Sequence, residues 1–278
     1  MSVPDQYAVM GFPIAHSKSP LIHEMFAKQT EQSMSYGRLE VKPEDFCKTV
    51  TSFFSQGGRG LNITLPHKES AWEMASWHSD NAGRAGAVNT LYLLEDGRLA
   101  GDNTDGIGLV RDIVQNHSAE LCDKHILILG AGGAVRGVLP RLLSAQPASV
   151  TLVNRTVQRA NELAKVFADQ IKIKTMGYDE LRTGDGVYDW VINGSSAGLQ
   201  GEMTDLPATL INNKTWCYDM VYVPGGTVFQ KWAKANGAMQ ALDGLGMLVE
   251  QAAESFFIWR GLRPDTAPVI AALRMSMS

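Results

Sequence analysis

Cysteine is scarce in this chain. Three residues among 278, Cys47, Cys122 and Cys217, stand far apart with no C-x-x-C pair. That odd, scattered set favours neither a disulfide framework nor a zinc site. No apolar run reaches membrane-spanning length, and the opening MSVPDQYAVMG lacks the basic stretch and long apolar run of a secretory signal. An excess of positive charge is missing too. Lys and Arg number 25 against 29 Asp and Glu, a net charge of −4, which argues against a nucleic-acid partner. The six histidines show no H-E-x-x-H spacing, so no metal site is expected. Repeats and low-complexity tracts are absent. The remainder, 45% hydrophobic and 19% charged, is the composition of a globular protein with the cytoplasm as its default compartment. Its length suits one large domain or two ordinary ones.

Strand-like and helix-like patterns alternate almost throughout, which predicts an α/β fold. QYAVMGFP, SYGRLEV and LNITLP read as strands, with GGRG breaking the chain before the third. Ser19-Pro20 reads as a helix cap followed by proline at the first helical position. PEDFCKTVTSFFSQ and KESAWEMASW read as helices, and AVNTLYLLEDGRLAGDNT as a hairpin turning at Asp96-Gly97. A fresh start at KHILILGAGGAVRGVLPRLL predicts a domain boundary within residues 102–123. SVTLVN, YDWVIN and TWCYDMVY follow as strands, and GLGMLVEQAAESFFIWRG as a long apolar helix.

The stretch ILILGAGGAVRG carries the first chemical signal. A strand ends in Gly130-Ala131-Gly132-Gly133 and a helix begins, so a pyrophosphate can approach backbone N–H groups. Strict G-x-G-x-x-G spacing would put the third glycine at Val135; an ordinary strand-to-helix turn is the alternative. Downstream, LVNRTVQRA fills the position where an NAD-binding fold presents an acid to the ribose. Here stand Asn154 and Arg155, with Thr156 as a cap and Arg159 about one turn on. Without the acid's repulsion, a guanidinium can pair with the 2′-phosphate of NADP. A pair of solvated surface arginines is the alternative.

In the first half, polar groups gather at strand ends: Ser17 and Ser19, then Asn62, Thr64 and Lys68, then Asn89, then Asn103, Thr104 and Asp105. Hydroxyls and amides suit a polyhydroxylated ligand beyond the carboxyl ends of strands. A lysine with an aspartate suits proton transfer, and either group of the two can pass the proton. His16, His23 and His67 near these segments read as local hydrogen-bonding residues. Gln251, four residues after Met247, can reach a hydroxylated ligand from the last long helix.

The ordered set GFPIAHSKSPLIHEMF, GLNITLPHK, AGAVNT, GDNTDGIGL, GAGGAVRG, NRT, NGSSAGL, YDMVYVPGGT and DGLGMLVEQAAESF resembles the shikimate dehydrogenase family over essentially the whole chain. The resemblance implies an N-terminal α/β substrate domain (1–104), a Rossmann-like NADP-binding domain with a central parallel sheet (105–242), and C-terminal helices returning to the first domain (243–278). It implies reversible NADPH-dependent reduction of 3-dehydroshikimate to shikimate in aromatic amino-acid biosynthesis. Lys68 and Asp105 would be the catalytic pair. Ser17, Ser19, Thr64, Asn89, Tyr222 and Gln251 would bind substrate. Gly130, Ala131, Gly132, Gly133, Ala134, Asn154, Arg155, Thr156 and Arg159 would take NADP, with Met220 and Gly244 flanking the nicotinamide. The implied partners are small molecules, with neither nucleic acid nor membrane, and the protein would be a monomer or homodimer. A quinate/shikimate dehydrogenase and a non-catalytic NADP-sensing protein are the alternatives. Ile63, Glu24, Ser195 and Leu199 depart from the family's usual valine, asparagine, threonine and methionine.

Overall fold

The computed structural model describes residues 3–184, 186–195 and 205–277. The elements run β1 (Asp5–Gly11), α1 (Ser19–Gln29), β2 (Met34–Glu40), α2 (Phe46–Ser55), β3 (Gly58–Ile63), α3 (Lys68–Met74), β4 (Trp77–His78), α4 (Asp80–Ala85), β5 (Thr90–Leu93), β6 (Leu99–Asp102) and α5 (Asp105–Arg111). Then come β7 (His125–Leu129), α6 (Gly133–Ser144), β8 (Ser149–Val153), α7 (Val157–Val166), β9 (Lys174–Met176), α8 (Tyr178–Thr183), β10 (Trp190–Asn193), β11 (Trp216–Asp219), α9 (Val228–Ala235), β12 (Gln240–Leu242), α10 (Leu245–Arg260) and α11 (Ala267–Ser276). The chain divides into two compact units, Met1–Gly108 with Val249–Ala271, and Leu109–Leu248 with Ala272–Ser278. No helix among the described residues is long and apolar enough to cross a membrane.

The first unit holds a six-stranded sheet in the order β2-β1-β3-β5-β6-β4. β1 runs parallel to β2 and β3, while β5 is antiparallel to both β3 and β6. The Asp96-Gly97 turn joins β5 to β6, with Gly97 at φ 82°. The GGRG segment does not break the chain as expected, because Gly58 to Gly60 belong to β3. Those glycines serve close packing. A Cβ on Gly58 would lie 2.2 Å from the Phe53 ring, and one on Gly60 would lie 2.4 Å from Trp259. Ser19 is likewise not a cap. It is the first residue of α1, the cap position is Lys18, and no side chain bonds there.

His23 also departs from expectation. Its ring is fully buried, and neither nitrogen has a hydrogen-bond partner among the described residues. It stacks on Tyr36 at 4.1 Å, with Phe26, Phe256 and Trp259 around it. Burial pushes its pKa down to about 3. The unfolded chain therefore takes up this proton first as pH falls below the ordinary value of 6.5. The resulting stability is complete above that value and is lost as pH falls toward 3. A His23→Phe variant should lose less stability than wild type on acidification. Urea midpoints of both proteins at neutral pH and at about pH 4.5 check this, and equal losses would overturn it.

The second unit holds a six-stranded parallel sheet in the order β12-β11-β10-β7-β8-β9. Its central strand HILIL is apolar almost without interruption because both faces are covered. Ile126 and Ile128 enter one core cluster, while Leu127 and Leu129 enter the other. Winding proceeds outward from β7 in both directions, so the switch point lies between β7 and β10. In such sheets ligands bind beyond the carboxyl ends of strands at that point.

Candidate active site

In the first unit, strand direction brings the polar segments to one edge of the sheet. Ser17 and Ser19 follow the carboxyl end of β1, and Thr64 and Lys68 that of the parallel β3. β6 runs the same way as β3, because each is antiparallel to β5, so Asp105 follows at the same edge. Asn89 precedes β5, which begins there.

The lysine is presented by a tight turn. The peptide bond Leu65-Pro66 is cis, and the His67 N–H donates to the Thr64 carbonyl at 3.0 Å. The buried His67 ring stacks on Phe46, and its Nε2 bonds the Val41 carbonyl at 2.7 Å. The aspartate is presented by Asn103, whose Oδ1 accepts from the Asp105 N–H while its amide donates to the Ala87 carbonyl. Lys68 Nζ lies 2.5 Å from Asp105 Oδ2, with side chains 18% and 9% exposed. Asp105 Oδ1 accepts from Asn89 Nδ2 at 2.8 Å. The Asn89 amide orientation is fixed, since its Oδ1 accepts from the Thr104 main-chain N–H at 2.9 Å. Gln251 Oε1 reaches Asn89 Nδ2 and Thr104 Oγ1, each at 3.4 Å.

Lys68, Asp105, Asn89 and Gln251 thus form one bonded group. Ser17 and Ser19 form another, their hydroxyls 3.2 Å apart, and Arg38 holds the Ser17 carbonyl through Nε and Nη2. Half-buried Thr64 lies against Gly11, where a Cβ would come within 2.5 Å of the threonine methyl.

In the second unit, β7 is followed by Gly130, whose φ of 109° suits only glycine. A Cβ there would lie 3.1 Å from the Gly194 carbonyl, so the turn packs tightly on the end of β10. Ala131 is buried, and α6 begins at Gly133 with Gly132 as its N-cap. Gly132 supplies no side chain to occupy the N–H groups that a helix start leaves unpaired. A Cβ on Gly132 or Gly133 would meet no described atom within 4 Å, so protein packing does not require these glycines. What a side chain would fill is the approach to the amides, which fits a pyrophosphate. Ala134 is exposed beside them.

At the end of β8, half-buried Asn154 donates to the Thr156 carbonyl at 2.8 Å. Thr156 occupies the N-cap of α7, but its hydroxyl does not accept the capping bond expected of it. Arg155 and Arg159 are exposed, and neither guanidinium is tied to a carboxylate among the described residues. Met220 and Gly244 are in contact: a Cβ on Gly244 would lie 2.2 Å from the Met220 carbonyl oxygen. Tyr222 is half-buried just beyond β11. Burial raises its pKa, which keeps the phenol protonated. Ser195 donates its hydroxyl to Asn193 Oδ1 at 2.7 Å. Leu199 lies outside the described residues.

Sequence reasoning missed the groups that support these residues. Asp219, fully buried, accepts from Asn193 Nδ2 and the Val221 N–H, joining the ends of β10 and β11. Burial raises its pKa. Asp243 accepts from the Leu245 N–H at the start of α10 and takes both guanidinium nitrogens of Arg274. Buried acids at strand ends were the available signal, but nothing local says what they bond. No group of His, Cys, Asp and Glu among the described residues could hold a metal ion.

A doubly wound parallel sheet with a glycine turn at its switch point, in one chain with a part-buried lysine–aspartate pair, defines a dinucleotide-dependent oxidoreductase. Family models match in three places: the shikimate dehydrogenase substrate binding domain over residues 9–91, shikimate / quinate 5-dehydrogenase over 112–200, and the shikimate 5′-dehydrogenase C-terminal domain over 244–274. The chain belongs to the shikimate dehydrogenase family. It is 58% identical over 270 residues to shikimate dehydrogenase (NADP(+)) of Alkalilimnicola ehrlichii, covering 97% of this chain and 98% of that protein. Among solved structures, an Ael1 enzyme from Pseudomonas putida is 43% identical with TM-score 0.90, covering 97% and 98% of the two chains. Shikimate 5-dehydrogenase from Thermus thermophilus, solved with NADP(H) and shikimate, is 34% identical with TM-score 0.85, covering 98% and 99%.

Proposed function

We propose that this chain catalyses the reversible NADP-dependent interconversion of 3-dehydroshikimate and shikimate, with Lys68 and Asp105 as the proton-handling pair. The contact that carries this reading is Lys68 Nζ on Asp105 Oδ2 at 2.5 Å, at the sheet edge that also bears Ser17, Ser19, Thr64 and Asn89. When bound, NADPH supplies a hydride to the substrate's carbonyl carbon. The ammonium of Lys68 faces the carbonyl oxygen and stabilises the charge that develops there. Asp105 holds that ammonium in place, and the pair delivers the proton that completes the hydroxyl. Asn89 serves two roles, since its amide orients Asp105 while the residue belongs to the substrate-binding set. Ser17, Ser19, Thr64, Tyr222 and Gln251 bind the ring hydroxyls and carboxylate. Gly130 to Ala134 take the pyrophosphate, Asn154 to Thr156 with Arg159 the adenosine 2′-phosphate end, and Met220 and Gly244 the nicotinamide. The setting is the cytoplasm and aromatic amino-acid biosynthesis, with the protein as a monomer or homodimer.

The test is NADPH formation followed by absorbance, with shikimate and then quinate, using NADP and NAD separately. The expected result is turnover of shikimate with NADP above every other combination. Equal turnover of quinate would give the broader quinate/shikimate activity instead. No turnover at saturating shikimate and NADP would leave an NADP-sensing protein.

A further inference from the structure

Behind Asn89 lies a set of buried polar side chains that touch neither lysine nor aspartate. Asn62, Thr90, Thr104 and Ser255 are each no more than 6% exposed, and they come from β3, β5, the start of α5 and α10. Buried polar groups are costly unless each donor meets an acceptor, and here they meet one another.

Tyr36 donates its hydroxyl to Asn62 Oδ1 at 2.6 Å, and burial keeps that phenol protonated. Asn62 must then face its Nδ2 the other way, and it donates to Ser255 Oγ at 2.8 Å. Thr90 has one proton and two acceptors in reach, Asn89 Oδ1 at 3.0 Å and Ser255 Oγ at 2.8 Å. Ser255 likewise has two acceptors in reach, Thr90 Oγ1 at 2.8 Å and the Gln251 main-chain carbonyl at 3.1 Å. Asn89 in turn donates to Asp105 Oδ1, and Lys68 donates to Oδ2 of the same carboxylate. The contacts run unbroken from Tyr36 through Asn62, Ser255, Thr90 and Asn89 to Asp105. Linked bonds of this kind polarise one another in a water-poor interior.

We infer that Thr90 and Ser255 are positioning residues of the reaction, fixing the Asn89 amide so that its N–H groups hold the Asp105 carboxylate under Lys68. Neither needs to touch substrate or cofactor. The inference rests on the assignment of Lys68 and Asp105 above. A valine at position 90 keeps the shape of threonine and removes both its donor and its acceptor. Asn89 Oδ1 then keeps the Thr104 N–H at 2.9 Å and the Thr104 hydroxyl at 3.2 Å but loses the Thr90 contact at 3.0 Å. Asn62 Nδ2 has other acceptors nearby, the Asn89 carbonyl at 3.2 Å and Thr90 Oγ1 at 3.3 Å, so loss of the Ser255 hydroxyl is the milder change.

The experiment measures kcat and both KM values for shikimate oxidation in Thr90→Val, Thr90→Ser, Ser255→Ala and the Thr90→Val/Ser255→Ala double variant, with Lys68→Ala alongside. Thr90→Val should lower kcat about tenfold and Ser255→Ala about threefold. The KM for NADP should stay at the wild-type value in each. Thr90→Ser restores the hydroxyl and should recover most of kcat. Because both residues lie on one chain of bonds, the double variant should resemble Thr90→Val rather than show the product of the two losses. Thermal midpoints are read in parallel. Wild-type kcat in Thr90→Val, or a multiplicative double variant, or failure of Thr90→Ser to recover, overturns the inference. If Lys68→Ala itself keeps its kcat, the proton-handling assignment falls instead, and the two failures are thereby distinguished.

Discussion

Replacing Lys68 by alanine is expected to lower kcat by about 10²–10⁴-fold, the usual worth of a positioned acid–base group, with a much smaller change in the KM for shikimate. The sign of that split follows from where the charge is. The ammonium faces an oxygen that is neutral in the ground state and gains charge only on the way to the alcohol. An interaction that strengthens in the transition state appears in kcat rather than in binding. Removing the lysine also leaves the Asp105 carboxylate, 9% exposed, without its counter-ion. That acid keeps its bond from Asn89, so the local fold retains a donor to it. A Lys68→Met variant keeps most of the side-chain length and separates lost charge from lost packing. Steady-state kinetics on both variants, with thermal midpoints, is the check. A large rise in KM at unchanged kcat would assign Lys68 to substrate binding alone.

How much of this was legible beforehand differs from residue to residue. The strand–turn–helix at Gly130 was legible because periodicity, glycine and helix start coincide within a dozen residues. The antiparallel β5 and β6 were legible because Asp96-Gly97 is a strong local turn signal. Lys68 and Asp105 were visible as residue types at strand ends. Their meeting across 37 positions depends on β3, β5 and β6 pairing, which no local spacing expresses. Gly58 and Gly60 were misread for the same reason. Glycine locally signals a break, yet the cause is a ring of Phe53 or Trp259 pressed onto a strand. His23 suggested a local hydrogen bond and instead sits in an aromatic cage built from α1, β2 and α10. The strands β9 and β12, three residues each, are too short for any period to register. Thr90 and Ser255 looked like ordinary residues because their importance lies in contacts between β5 and α10, which exist only in the assembled network.

Arg155→Ala should raise the KM for NADPH by about 10–100-fold and leave that for NADH nearly unchanged, so that the preference between them narrows. The argument begins with what is missing at the end of β8. An acid at Asn154 would bind both ribose hydroxyls and repel a 2′-phosphate. Asn154 instead turns its amide onto the Thr156 carbonyl, which fixes the bend that carries Arg155 outward. Arg155 and Arg159 are both exposed, and among the described residues no carboxylate holds either of them against the protein. A guanidinium without a protein counter-ion gives up little on meeting a phosphate, and its planar fork accommodates two oxygens at once. Because the pair is solvent-exposed, added salt should weaken NADPH binding more than NADH binding. An Arg155→Lys variant keeps the charge but loses the fork, and should fall between wild type and Arg155→Ala. The Arg155→Ala/Arg159→Ala double variant should bring the two cofactors close to parity. Initial rates with each cofactor across a salt series decide the matter. An unchanged preference in the double variant would show that both arginines are surface charges and that NADP is chosen elsewhere in the fold.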